Sequence, residues 1–324
     1  MILTMVQAIT QALAGEMERD DRVIVFGEDV GRDGGVFRAT EGLVDRFGPE
    51  RVRDTPLAES GAVGIALGMA ALGLRPVAEI QFMGFIYPAF NQIISHVARL
   101  RNRTRGRFTA ALTIRTPYGA GVKALEHHSE STEALFCHIP GLTVVVPSSP
   151  YEAKGLLIAS IRSEDPVVFL EPTKLYRAEK QEVPEAAYEV PLRQAAVIRE
   201  GRDVTVIAWG AMIPVARAAA AAAEAEGISL EIVDLRTLSP MDRATVLASV
   251  RKTGRAVVLH EAPKTCGLGA EIAATIAESA LLSLKGPVLR VTAPDITVPL
   301  SKTEDLYYPN AGRVLRAVRK LMEY

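Results

Sequence analysis

Asp54-Thr55-Pro56-Leu57-Ala58-Glu59-Ser60-Gly61-Ala62-Val63-Gly64-Ile65-Ala66-Leu67-Gly68-Met69-Ala70-Ala71-Leu72-Gly73-Leu74 carries only one charged side chain after Asp54, that of Glu59. Pro56 suits the first position of a helix, where its missing N–H costs nothing. A helix from Pro56 is therefore expected, with Glu59 in or just past its first turn. The uncharged run of small residues behind it is about long enough to span a bilayer. Its glycines, Glu59 and the strand-like sequence that follows mark it instead as a buried helix of a globular protein. Gly64 and Gly68, four apart, leave smooth backbone on one face, where another helix of the core or of a second subunit can approach. Glu59 itself has two readings. It is a carboxylate that favours the helix dipole, or one entering an apolar site with a raised pKa, ready to exchange protons.

Around this stretch, apolar runs alternate with helical patterns. Residues 3–19 have helical spacing, with Thr4 as candidate cap. Val23-Ile24-Val25-Phe26 reads as a strand buried on both faces, ending in Gly27-Glu28-Asp29. Two acids at the carboxyl end of a parallel strand lie where open α/β sheets bind ligands; a solvated loop is the plainer reading. A helix from Gly34-Gly35 to Phe47, strands over 77–80, 112–115, 144–146 and 167–170, and helices over 86–100 and 150–162 complete a first unit. Residues 171–202 are rich in proline and charge. A second alternation follows, with strands at 204–208, 229–233, 256–259 and 288–291 and a terminal helix over 312–322. The fold class is thus α/β, with two mostly parallel-sheet, three-layer domains. Their expected bounds are residues 1–175 and 203–324, with a linker over 176–202.

The chain has 324 residues, 37 basic and 38 acidic, for a net charge of −1. Nothing in that balance points to nucleic acid or an anionic membrane. Cys137 and Cys266 have no paired spacing, and Met1-Ile2-Leu3-Thr4 lacks the features of a signal peptide. A reducing, cytoplasmic setting is expected. Arg99 to Arg107 is a basic cluster, a solvated surface or the seat of an acidic partner. His127-His128, with Glu130, Glu133 and His138 nearby, matches no standard metal spacing. A loop histidine better suits acid–base work or substrate positioning, and a surface pair is the equal alternative. No phosphate-binding glycine loop is present.

Several segments stand in the order of a known family. They are Gly27-Glu28-Asp29-Val30, Asp54-Thr55-Pro56-Leu57-Ala58-Glu59-Ser60, Arg75-Pro76-Val77-Ala78-Glu79-Ile80-Gln81-Phe82, His128-Ser129, Asp165-Pro166-Val167-Val168-Phe169-Leu170-Glu171-Pro172 and Asp234-Leu235-Arg236-Thr237. With these the whole chain resembles the β subunit of the thiamine-diphosphate-dependent decarboxylase component of 2-oxo acid dehydrogenase complexes. The resemblance implies a pyrimidine-binding domain followed by a transketolase C-terminal-like domain. It implies thiamine diphosphate with Mg²⁺, the diphosphate and metal being held by a Gly-Asp-Gly motif on a separate α subunit, in an α2β2 heterotetramer. It implies oxidative decarboxylation of a 2-oxo acid and transfer of the acyl group to lipoamide of an acyltransferase docked on the C-terminal domain.

By matched position, Glu59 would hydrogen-bond the pyrimidine nitrogen N1′, and His128 would serve acyl transfer. Glu28, Leu57, Ala58, Gln81 and Phe85 would line the cofactor, although plain core packing would also explain Phe85. A structural K⁺ would lie near Leu112, Ser160, Ser163 and Asp165. Met83-Gly84-Phe85 resembles pyruvate-type relatives, whereas Glu126 to Ser131 and Phe90 resemble branched-chain ones. The balance leans to branched-chain 2-oxo acids, with pyruvate as the alternative. A non-catalytic docking scaffold and a self-contained transketolase-like synthase are the readings from other classes.

Overall fold

The computed structural model describes residues 1–324. A seven-stranded sheet forms the first layer system, in the order Thr237–Ser239, Thr143–Val145, Val167–Pro172, Thr113–Tyr118, Arg75–Glu79, Val23–Gly27, Val52–Asp54. All its neighbours are parallel except the edge strand Thr237–Ser239, which comes from the C-terminal half of the chain. A five-stranded sheet follows, in the order Leu289–Ala293, Ala256–Pro263, Val204–Ala208, Leu230–Asp234, Ala196–Arg199. Only the last of these runs antiparallel to its neighbour. The central strands Val204–Ala208 and Leu230–Asp234 are buried throughout, as strands covered by helices on both faces must be.

Helix Met5–Arg19 starts at a capping box in which the Thr4 and Gln7 side chains satisfy each other's backbone N–H groups. Helix Pro150–Arg162 has the expected bounds, with the Ser149 side chain as its cap. Other elements differ from expectation. Only Leu43–Phe47 of the 34–47 segment is helical. Positive φ at Gly34, Gly35, Arg38 and Gly42 breaks the earlier part into turns. Residues 86–100 form short helical pieces, Phe90–Ser95 the longest, after a 3₁₀ turn that contains Pro88. Strand Ala196–Arg199 falls inside the expected linker yet closes an edge of the second sheet. Gln181–Glu182, also in that segment, pairs with Ile2–Leu3.

The helix behind Asp54 runs from Glu59 to Ala71, three residues later than Pro56 suggests, because Ala58 is still non-helical. It buries Ala62, Val63, Ala66 and Ala70. Gly61, Ile65, Gly68 and Leu72 form an exposed stripe at helical spacing, with Ile65 and Leu72 59% and 86% exposed. Gly64 lies against Gln92, and no heavy atom comes within 4 Å of where a Gly68 Cβ would be. The smooth face is therefore open on this chain.

A buried charge cluster ties three central strands together. Arg115 Nε and Nη2 donate to Glu171 Oε1 and Oε2, both at 2.7 Å, and Arg115 Nη1 donates to Glu79. Tyr176 Oη donates to the same Glu171 carboxylate. Arg115 is 1% exposed, and both carboxylates are buried. Burial and the neighbouring Glu171 hold the Glu79 pKa above its ordinary value, despite the facing guanidinium. Removing one partner of a buried ion pair costs about 3–5 kcal/mol, because the other charge is left stranded. Arg115→Met should therefore lose about that much stability in urea unfolding. A loss under about 1 kcal/mol would show that the cluster is not a structural anchor.

Candidate active site

The register of the first sheet gathers the candidate residues. Gly27 is level with Asp54 on one side and Glu79 on the other, and Glu79 is level with Arg115. Parallel strands end at the same edge of a sheet, so the segments that leave this row emerge together. They are Glu28-Asp29, the 55–59 segment and Gln81 to Phe85. The loop that carries His128 leaves the same edge after strand Thr113–Tyr118. Gly27 is required at the turn-off, since a Cβ there would lie 2.6 Å from the Glu79 carbonyl oxygen.

Asp54, which sequence reasoning gave no role, joins two of these loops. Its carboxylate accepts from the Gly31 N–H at 2.6 Å and from the Arg32 N–H at 3.1 Å. The turn that bears Glu28 is thereby fixed to the strand that leads to Glu59. Glu59 is the first residue of its helix and is half-buried. Burial raises the Glu28 pKa, with smaller contributions from the negative charges of Glu59 and Asp29. Glu28 thus lies within electrostatic reach of Glu59. Gln81 is pinned by a 3.1 Å bond from Nε2 to Asp29 Oδ2. Leu57 is 81% exposed, and Ala58 is exposed beside it.

The other wall is aromatic. Phe82 packs edge-on against Phe85 at 5.3 Å and against the His128 ring at 4.7 Å, centroid to centroid. Phe85 meets His128 at 5.2 Å and His127 at 5.4 Å. On its far side Phe82 meets Phe37. Phe82, to which sequence reasoning gave no role, joins this cluster to Phe37. Nδ1 of His128 is buried without a hydrogen-bond partner.

The residues present suit one half of thiamine diphosphate. A carboxylate at a helix start, an aromatic face and a buried, unpartnered ring nitrogen fit a flat heteroaromatic ring that has its own donors and acceptors. No group of three or more His, Cys, Asp or Glu side chains is placed to hold a metal ion. This includes the His127-His128 neighbourhood.

The four residues expected around K⁺ lie close in the fold, and their polar groups already have partners. Ser163 Oγ donates to the Asp165 carbonyl oxygen at 2.8 Å, and Ser160 Oγ to that of Leu156 at 2.7 Å. The carbonyl oxygens of Leu112 and Ser160 accept from Val167 and Ser163. Arg101 pairs with the Asp165 carboxylate, and Arg75 Nη1 donates to the Ser163 carbonyl oxygen. A monovalent ion there would depend on second lone pairs of carbonyls beside two guanidinium groups.

Two family models cover the chain: the transketolase pyrimidine-binding domain over residues 2–179 and the transketolase C-terminal domain over residues 193–314. The β subunit of the pyruvate dehydrogenase E1 component of Bacillus subtilis is 53% identical over 322 residues, covering 99% of each chain. That of Acholeplasma laidlawii is 52% identical over 320 residues, covering 99% of this chain and 98% of its own. The chain belongs to the E1 β subunits of thiamine-diphosphate-dependent 2-oxo acid dehydrogenases. A solved split-gene transketolase, described as an inactive β4 tetramer, matches the fold at a TM-score of 0.82 and 24% identity, over 99% of this chain and 98% of its own. No helix of this E1 β subunit is long and apolar enough to cross a membrane.

Gly84 controls where the histidine loop sits. A Cβ there would lie 2.1 Å from the His127 carbonyl oxygen, a backbone atom that moves only with the whole turn. A misplacement of about 1 Å at a reacting group can cost on the order of a hundredfold in rate. Gly84→Ala should therefore lower turnover of the assembled E1 component by about that factor. Unchanged turnover would show that the position of this loop does not govern the chemistry.

Proposed function

We propose that this chain is the β subunit of a pyruvate dehydrogenase E1 component. It would act with an α subunit in an α2β2 heterotetramer to decarboxylate pyruvate and pass the acetyl group to lipoamide of an acyltransferase. The observation that carries the reading is the half-site at the sheet edge. Glu59 and Glu28 leave the same sheet edge as the Phe85–His128 aromatic–imidazole cluster, and no group of three or more His, Cys, Asp or Glu side chains is placed to hold a metal ion. The open Gly61-Ile65-Gly68-Leu72 stripe continues from Glu59 along the same helix and supports a partner on that side. The sequence leaned to branched-chain substrates. Full-length relatives at 52% and 53% identity support pyruvate instead.

When bound, thiamine diphosphate supplies the nucleophilic carbon and the electron sink for decarboxylation. The chain's own residues then have distinct tasks. Glu59 would hold a proton at the pyrimidine nitrogen N1′, with the acid Glu28 beside it on the neighbouring turn. Leu57, Ala58 and Phe85 would lie against the ring, and Gln81, held by Asp29, would line the site beside them. His128 orients the substrate or lipoyl group and handles the proton of acyl transfer. No step depends on K⁺. The exposed C-terminal residue Tyr324 and the helix Ala311–Met322 before it are the proposed docking side for the acyltransferase.

The test is steady-state kinetics of the complex reconstituted with its α subunit. Pyruvate should be preferred over 2-oxoisovalerate in kcat/KM. Glu59→Gln should lose about 10²- to 10⁴-fold in kcat, the range for a lost acid–base group, with assembly intact. Near-normal turnover of Glu59→Gln would leave this residue a structural role only. A preference for the branched acid would return the substrate to the earlier expectation.

A further inference from the structure

Where the His128 loop meets the second α/β unit, several buried oxygens have no partner. Ser129, Ser131 and Glu261 are 1%, 8% and 2% exposed. Ser129 Oγ, Ser131 Oγ, Glu261 Oε1 and Glu130 Oε2 make no hydrogen bond. All four residues line one cavity of about 220 Å³, walled in part by Tyr307 and Tyr308. Glu126 lines it too, and no lysine or arginine does. The nearby cations are turned to other work. Lys123 pairs with Asp305, and Lys174 lines a neighbouring pocket and reaches Glu261 only through space.

Buried polar atoms are seldom left unpaired, and a buried carboxylate either keeps its proton or finds a cation. Burial raises the pKa of Glu130 and lifts that of Glu261 to about 7. The residues flanking the cavity in sequence include four exposed apolar ones: Leu125, Ile296, Leu300 and Leu306. Of these, Ile296 lines the recess itself, and a buried acidic recess with such a rim can desolvate a charged anchor. Carboxylates and hydroxyl oxygens together suit the several N–H donors of a guanidinium. The lack of any three-residue metal-ligating group agrees with that.

We propose that this recess seats an arginine or lysine side chain presented by the partner subunit, held by Glu130, Glu261 and the Ser129 and Ser131 hydroxyls. The inference rests on the reading that this chain works beneath a partner. Because Ser129 directly follows His128, the anchor sets the partner in register with the active-site loop.

The probe is N-ethylguanidinium, added to the full chain and to its Glu130→Gln/Glu261→Gln variant, with KCl and MgCl₂ at matched ionic strength as comparators. A saturable rise in Tm with the probe, seen for the wild type and absent in the variant, is expected. No saturable rise, or an equal rise with K⁺ or Mg²⁺, would overturn the proposal. With the α subunit, the variant should assemble at least about tenfold more weakly, in line with loss of a buried charged anchor. Equal assembly of wild type and variant would also overturn it. Failure of even the wild type to assemble, with probe binding intact, would count against the heterotetramer reading and leave the recess as a cation seat.

Discussion

Arg115, forked between Glu79 and Glu171, is the interaction on which the site's geometry depends. Each of the three residues sits on a different strand of the first sheet. Each strand leads into a segment that matters: Glu79 into Gln81 and Phe85, Arg115 into the His128 loop, and Glu171 into Tyr176, which packs on Phe37. A hydrophobic trio of similar volume could match the stability of such a cluster. What charge adds is direction, because a planar guanidinium donates to carboxylates in few orientations. The cluster therefore fixes strand ends relative to one another, and the ends carry the chemistry.

Above that anchor the chain supplies one kind of work, the placement of protons and apolar surface. Asp54 ties the Glu28 turn to the Glu59 strand, and Phe82 ties Phe85 to His128. The Asp54 bonds and the contacts of Phe82 and Phe85 with His128 each join segments that leave different strands. No group of three or more His, Cys, Asp or Glu side chains is placed here to hold a metal ion. The exposed glycine–isoleucine–leucine stripe and the acidic recess near Ser129 are two separate places where the same edge is unfinished. Both make sense for a surface that is completed by another subunit.

Much of this was legible in the sequence, and the parts that were not share a cause. Long apolar periods survive any context, so Met5–Arg19, Val23–Gly27 and Pro150–Arg162 could be read directly. The grouping of Glu28, Glu59, Phe85 and His128 came from motif order, since their spacing alone says little. Short or charged strands were missed: Val52–Asp54 and Ala196–Arg199 owe their strand form to a neighbouring strand and not to local pattern. Arg115 gave no sign of burial, because its partners lie 36 and 56 residues away. The recess was equally hidden, its members coming from both halves of the chain. The 34–47 segment failed for the opposite reason, since glycines that seemed to open a helix were there to take positive φ.

The central claim is that this chain holds the proton-handling half of an active site whose anion-holding half lies on a partner. Calorimetric titration of thiamine diphosphate with Mg²⁺ tests it directly, first into the isolated chain and then into the chain assembled with its α subunit. The account predicts no measurable binding to the isolated chain and saturable binding to the assembly. Tight, stoichiometric binding by the isolated chain would contradict it.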